Sequence, residues 1–319
     1  MIDASKIVTR SCFRAFRSCA QSTAWWPASV INQAPSEAQM HASTTSLCSE
    51  PGWQVTFEDL FEGPALNTSY WTVAHNLTHG SYEKQLYIKD DVWVENGNLV
   101  VRTRKNRARS SNGTFYDFTS GWIEGSGKIF QQYGRFEVNA SLPSASAGRA
   151  GMWPIAWPAA WLMPEPSTSK PPNVCWPVGG EIDIMEAYSH KRPGDRPRSD
   201  AGTLNSIYMS YHWAKECGKD LWAARNGWYP PRNDSTTLVD WSAYHTFGVE
   251  WSPNEIVWYV DGKPRYSRRA GDPASLFVPQ WPMYMIINTA LNRWADPALD
   301  KGLPVYYRVD RVTFCERRQ

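Results

Sequence analysis

Gly179-Gly180-Glu181-Ile182-Asp183-Ile184-Met185-Glu186 is the stretch whose reading decides this chain. In an extended backbone, side chains alternate between the two faces of a sheet. Glu181 and Asp183 then share one face, while Ile182 and Ile184 take the other. Strict alternation would send Glu186 to the core side with Ile184, where a lone carboxylate is costly to ionise. One extra residue near Ile184-Met185, a β-bulge, returns Glu186 to the face of Glu181 and Asp183. The two Glu then stand roughly 10–13 Å apart at Cα, and each is long enough to lean toward the other over the shorter Asp183.

Such a row suits chemistry at a glycosidic bond. Carboxyl groups about 5–5.5 Å apart serve a retaining glycosidase, one attacking the anomeric carbon and the other donating and later accepting a proton. Crowding also raises at least one pKa, as a general acid at neutral pH requires. A solvated acidic edge or a calcium site would use the same residue types. The apolar and aromatic flanks from Trp176 to Tyr188, with Ile182 and Ile184 as anchors, weigh against the solvated edge.

Working outward, Trp153, Trp157 and Trp161 recur every fourth residue. Pro154 and Pro158 disfavour a helix interior, so an extended chain puts all three on one face. Flat rings along a groove stack on the C–H patches of sugars, although any single Trp could equally fill a core. Tyr133–Leu142 alternates cleanly: Tyr133, Arg135, Glu137, Asn139 and Ser141 form a polar face, and Gly134, Phe136, Val138, Ala140 and Leu142 form a core face. Val92–Val94 and Leu99–Thr103 flank Asn96-Gly97, and Ile256–Val260 precedes Asp261-Gly262. Both are hairpin signals. Met283–Ala290 and Val305–Phe314 are further strand candidates, and Leu221–Arg225 is at most a short turn. Many short strands and tight turns predict an all-β fold of two packed antiparallel sheets.

Composition agrees. The 319 residues include 18 Trp, 15 Tyr, 11 Phe, 21 Gly and 23 Pro, and the hydrophobic share of 42% supports a large core. Lys plus Arg is 33 against 31 Asp plus Glu, a balance that argues against nucleic acid and fits a neutral polysaccharide. No apolar run is long enough for a membrane-spanning helix, so no membrane partner is expected. Residues 1–47 differ: Lys6, Arg10, Arg14 and Arg17 face only Asp3 and Glu37 among many Ser and Ala. They read as a poorly ordered leader or targeting segment, or as a misplaced start. The main domain is expected over 48–316, with 317–319 as a tail.

Six Cys are present. Cys12 and Cys19 lie in the leader, and Cys48 and Cys315 sit near the two ends of the main domain, which are often close in space. Cys175 and Cys217 flank the carboxylate stretch. Two disulfides, 48–315 and 175–217, are expected, with buried free thiols as the alternative; no spacing suggests zinc. Sequons at Asn67, Asn76, Asn112, Asn139 and Asn233, together with paired Cys, favour a secreted protein.

The run from Cys175 to Glu186 resembles the active-site signature of glycoside hydrolase family 16 in its bulged ExDxxE form, typical of laminarinase-like enzymes that cut β-1,3- or mixed β-1,3-1,4-glucans. Tyr133–Val138, Trp157–Pro164, His245–Trp251 and Ile256–Gly262 resemble other family segments in order and spacing, and the likeness runs from about Trp53 to Phe314. The resemblance implies a concanavalin A-like β-jelly roll of two curved antiparallel sheets with the cleft on the concave side. It implies Glu181 as nucleophile, Glu186 as general acid/base and Asp183 between them. It also implies Trp157 and Trp161 at donor subsites and His212 near the catalytic strand; Arg135, Asn288 and Trp153 are further expected sugar contacts. The chain departs from the family at Trp122, where many members have Arg, and at Asn288–Trp294, which lacks a paired Gly. The charged, Pro-rich His190–Ser199 reads as a surface loop. No organic cofactor is implied; relatives can carry a structural calcium, whose ligands are not identifiable here. A monomer acting on neutral β-glucan is expected. Glycosyl transfer through the same intermediate, or glucan recognition without turnover, are the alternatives.

Overall fold

A computed structural model describes residues 46–80, 82–143, 156–168, 175–187, 207–219, 241–272, 275–293, 295, 297 and 302–318. Trp153, the His190–Ser199 stretch, Leu221–Arg225 and Asn233 lie outside the described residues.

The strands in chain order are β1 (Trp53–Asp59), β2 (Thr72–Val73), β3 (Gln85–Tyr87), β4 (Val92–Glu95), β5 (Asn98–Arg109), β6 (Phe115–Ser120), β7 (Trp122–Glu124), β8 (Phe130–Gln131) and β9 (Gly134–Ser141). They continue with β10 (Ala156–Pro164), β11 (Glu181–Glu186), β12 (Tyr208–His212), β13 (His245–Trp251), β14 (Glu255–Val260), β15 (Lys263–Arg269), β16 (Met283–Leu291) and β17 (Val305–Arg317). Helix among the described residues is limited to two single 3₁₀ turns, Leu47–Ser49 and Lys89–Asp91.

The strands form two sheets. The larger runs β15-β14-β13-β9-β17-β5-β6-β3, with β1 added on β17 and β4 on β5. The smaller runs β12-β11-β10-β16-β7-β2, with β8 on β16. Pairing is antiparallel except between β3 and β6. The two expected hairpins are present: Asn96 and Gly97 (φ 50° and 69°) close β4 to β5, and Asp261 and Gly262 (52° and 71°) close β14 to β15. Two successive positive φ values match the right-handed strand twist, which is why Asn-Gly and Asp-Gly serve there.

One apolar layer fills the space between the sheets. Phe136, Val138, Phe247, Val249, Trp251, Trp258, Val309 and Phe314 from the larger sheet meet Leu162, Ile182, Ile184, Met185, Met209, Met285 and Ile287 from the smaller. Each fully buried large side chain contributes about 1.5–3 kcal/mol, so this layer sets which face of every strand points inward.

The outward face of β9 is polar yet covered. Ser46 and Leu47 belong to the fold, two residues before the expected boundary: Leu47 is buried, and Ser46 Oγ and the Leu47 N–H both donate to the Glu137 carboxylate. At the other end β17 runs on to Arg317, into the expected tail. Cys48 and Cys315 are bonded at a Cα–Cα distance of 5.7 Å, tying the two ends together as expected.

Arg135 corrects the expectation of a sugar contact. It lies in this outer layer of the larger sheet, where its guanidinium pairs with Glu250 (2.9 Å) and Glu50 (2.8 Å), donates to the Leu47 carbonyl and stacks on Trp53 at 3.9 Å. The alternation of β9 dictates this: Phe136 and Val138 face the core, so Arg135 must face away from it, on the sheet that does not carry β11. Asn139 is likewise buried and donates to the Thr246 hydroxyl, so its sequon is closed by the ladder.

Candidate active site

The bulge expected near Ile184-Met185 is present. Against β10, Trp161 pairs with Asp183 while the preceding Ala160 pairs with Met185, leaving Ile184 as the extra residue. Against β12, the three steps from Asp183 to Glu186 oppose two, from Ser210 to Tyr208. Ile182, Ile184 and Met185 are all buried in the inter-sheet core, so two consecutive side chains face inward and Glu186 returns outward. A bulge leaves ladder groups unpaired; the Asp183 carbonyl accepts instead from the Trp258 indole N–H (2.7 Å), which reaches across the core from β14.

The entry to β11 is built as tightly. Gly180 has φ +80°, and a Cβ there would lie 3.0 Å from Pro279 Cγ and 3.1 Å from Tyr211 Oη. Only glycine turns the chain into Glu181 without strain. Tyr211 Oη donates to the Phe277 carbonyl, and the Trp281 indole donates to the Gly179 carbonyl.

Glu181, Asp183 and Glu186 thus share the open face of the smaller sheet. The His212 Nε2 lies 3.1 Å from Asp183 Oδ2 and 3.9 Å from Glu181 Oε1. Trp176 Nε1 donates to Glu181 Oε2 (2.7 Å), and Trp157 Nε1 donates to Glu186 Oε1 (2.8 Å). Each outer carboxylate therefore holds one indole donor. One donor atom each from Glu181, Asp183 and His212 falls within 4.8 Å of the others, a grouping a cation could bridge. The His212 ring already stands against both acids, so the set reads as a carboxylate–imidazole cluster.

Burial and the neighbouring Asp183 charge push both outer acids up. Glu181 rises to about 8, opposed by His212, the Trp176 hydrogen bond and His79. Glu186 rises well above the carboxylate range, opposed by His212 and the Trp157 hydrogen bond. Each outer acid is thus held above the ordinary carboxylate range by the same causes and opposed by His212 and its own indole, so the two titrate as a coupled pair.

The floor beside the acids is aromatic. Trp161, buried, donates from its indole to Asn288 Oδ1 (2.8 Å), and Asn288 donates to Tyr87 Oη (2.9 Å). Tyr87 Oη in turn donates to Glu83 (2.8 Å), which also holds His79 Nδ1 at 2.8 Å. The His79 ring packs 5.4 Å from Trp122 and 5.8 Å from Trp161. Trp157 and Trp161 share the open face, as the extended reading required. Asn288 sits beneath that floor, held on both sides by side chains. Trp122, the departure from the family pattern, packs edge-on against Trp161 at 5.4 Å. Sequence reasoning passed over Trp176, His79 and Trp258 as site residues. Trp176 stood five residues before Glu181 and could have been found by its reach; His79, from the segment between β2 and β3, and Trp258, on β14, carry no local signal.

Residues 83–307 match the family model described as Glycosyl hydrolases family 16. The chain belongs to glycosyl hydrolase family 16. Among its relatives, the beta-glucanase of Rhodothermus marinus is 28% identical over 256 residues, covering 76% of this chain and 77% of the relative. The glucan endo-1,3-beta-glucosidase A1 of Niallia circulans is 28% identical over 262 residues, 76% of this chain and 34% of the relative. This chain thus spans about a third of that relative, and 35% of the endo-1,3-1,4-beta-glycanase EglC of Rhizobium meliloti. The catalytic domain of an endo-1,3-beta-glucanase (laminarinase) from Thermotoga petrophila shares the fold at a TM-score of 0.65 and 23% identity, covering 84% of this chain and 99% of that one. The family 16 jelly roll expected from the sequence is the observed fold.

Proposed function

We propose that this family 16 chain is a retaining endo-β-glucanase that cuts β-1,3- or mixed β-1,3-1,4-glucan by double displacement. The bulge at Ile184 carries the reading, because it puts Glu186 on the same open face as Glu181. Glu186, holding its proton, protonates the glycosidic oxygen as Glu181 attacks the anomeric carbon; the leaving sugar departs and a glycosyl–Glu181 ester forms. Glu186, now a carboxylate, takes a proton from water, which attacks the same carbon and frees Glu181. Asp183, between them and against His212, holds the charge that keeps Glu186 protonated. Trp157 offers the sugar an aromatic face, and the buried Trp161 braces the floor through Asn288 and Trp122. The two disulfides, with relatives named as glucanases, fit an oxidising, extracellular setting.

The test is incubation with laminarin, lichenan and agarose followed by product sizing. Short oligosaccharides from laminarin or lichenan are expected; products longer than the substrate would redirect the reading to glycosyl transfer, and retained binding without cleavage would redirect it to recognition. Glu181→Ala should lose turnover, and added azide should yield a glycosyl azide of inverted configuration. Undiminished activity in that variant would overturn the nucleophile assignment.

A further inference from the structure

Trp176 is an aromatic side chain that a core does not explain. It is 43% exposed, yet its indole N–H is committed to Glu181 Oε2 at 2.7 Å, and its ring stands 5.7 Å from that of His212. Its backbone is held from two directions. Ahead of β11, the Val178 N–H donates to the Cys175 carbonyl and the Gly180 N–H to the Pro177 carbonyl, each at 2.9 Å, which folds 175–180 into a tight turn. Sideways, Cys175 is bonded to Cys217 beyond the end of β12, with Cα atoms 5.4 Å apart, and the Gly218 N–H donates to the Trp176 carbonyl at 2.9 Å. The bridge therefore joins the turn carrying Trp176 to the segment following His212, a second group close to Glu181. Unlike Cys48–Cys315, it lies beside the carboxylate strand.

We propose that Trp176 is a positioning residue for the nucleophile and that the Cys175–Cys217 bridge serves the reaction by holding Trp176 on it. This rests on the reading of Glu181 as nucleophile. The carboxylate has two oxygens. With Oε2 held by the indole, Oε1 is the oxygen left to approach the anomeric carbon, and a hydrogen bond donated to the charged form favours that form. The other charged or titratable groups facing Glu181 are Asp183 and Glu186 on its own strand, His212 on β12, His79 from the segment between β2 and β3, and Tyr284 on β16. Apart from His79 and His212 these are acids, so the indole is one of few influences favouring the carboxylate.

Trp176→Phe keeps the ring and removes the N–H. In ¹³C-carboxyl NMR of Glu-labelled protein, with Glu181→Gln identifying the resonance, the Glu181 midpoint should move to higher pH without substrate present. On laminarin, the acidic limb of kcat/KM should move up with it, with kcat falling about fivefold and KM little changed. The Cys175→Ser/Cys217→Ser double variant should shift the limb the same way by less, and add nothing further in the Trp176→Phe background. An unmoved Glu181 midpoint in Trp176→Phe would overturn the proposal, as would a bridge effect that adds in full to it. Should the double serine variant fail to fold, Trp176→Phe decides alone. A wild-type protein that cleaves no glucan would defeat the proposed function, while the NMR titration still tests what Trp176 does to Glu181.

Discussion

Two groups of acids lie on opposite faces of this sandwich, and they are built in opposite ways. Outside the larger sheet, each acid has donors to spare. Glu137 accepts from Ser46 and from the Leu47 and Cys48 N–H groups, and Glu250 and Glu50 share the guanidinium of Arg135. On the open face of the smaller sheet, three carboxylates crowd one strand with an imidazole and two indoles. The first arrangement fastens the Ser46–Glu50 segment to the larger sheet and leaves nothing to react. The second leaves protons contested, which acid–base chemistry requires and stability does not. Buried charge alone does not mark a site; unmatched buried charge does.

The sharpest way to break the contrast is Glu186→Ala, which removes one outer carboxylate from the reactive group and leaves the acids outside the larger sheet untouched. Turnover should fall about a thousandfold, the scale of losing a general acid. Steady-state kinetics checks this, with circular dichroism to show that the sheet survives. Activity retained in that variant would mean that Glu186 is not the acid.

Arg135→Leu breaks the other side. It removes the closer of the two cations on Glu250 and a donor to the Leu47 carbonyl, while Arg317 (3.3 Å) and the Glu50 N–H still reach them, so a loss of about 1–3 kcal/mol in stability is expected, discounted because Glu50 is half in water. The kcat/KM on laminarin and its pH limbs should stay as they are. A change in substrate binding would restore Arg135 to the site.

Legibility in the sequence followed the same divide. Whatever depends on alternation was readable: the strand character of 133–142 and 256–260, the two hairpins, and the need for a bulge before Glu186, since three inward isoleucine and methionine side chains and three outward acids cannot fit on a regular strand of this order. What depends on the neighbour across a sheet was not. Arg135 sits on a strand whose polar face looks solvated in one dimension, and only the docking of Ser46–Glu50 shows that it is covered. Trp258 looks like an ordinary core residue of a hairpin, and only the packing of β14 under β11 makes it the partner of the Asp183 carbonyl.

A smaller effect sharpens the comparison through pH. Burial and Asp183 hold the Glu181 proton to about pH 8, whereas an unfolded Glu releases it near 4.3. Between those values the native state binds more protons than the unfolded one, so stability is fully present below about pH 4 and falls as pH rises toward 8. Glu181→Gln cannot lose a proton there. It should therefore melt several degrees higher than wild type at pH 7 and show a shallower decline from pH 5 to 8. Equal melting temperatures across that range would mean the outer acids are not strained by their surroundings.

The smallest expected change concerns the second indole. Trp157→Phe keeps a ring on the open face but removes the N–H donated to Glu186 Oε1. That bond favours the charged form, so its loss should let Glu186 hold its proton to still higher pH, among the facing Asp183, Glu181, His212 and Tyr208. A general acid works while protonated, so the alkaline limb of kcat/KM should move up, with kcat down about threefold because the base that activates water is less firmly aimed. Trp176→Phe moves the acidic limb instead. If both substitutions moved the same limb, the two indoles would not be serving different carboxylates, and the division of labour between Glu181 and Glu186 would have to be redrawn.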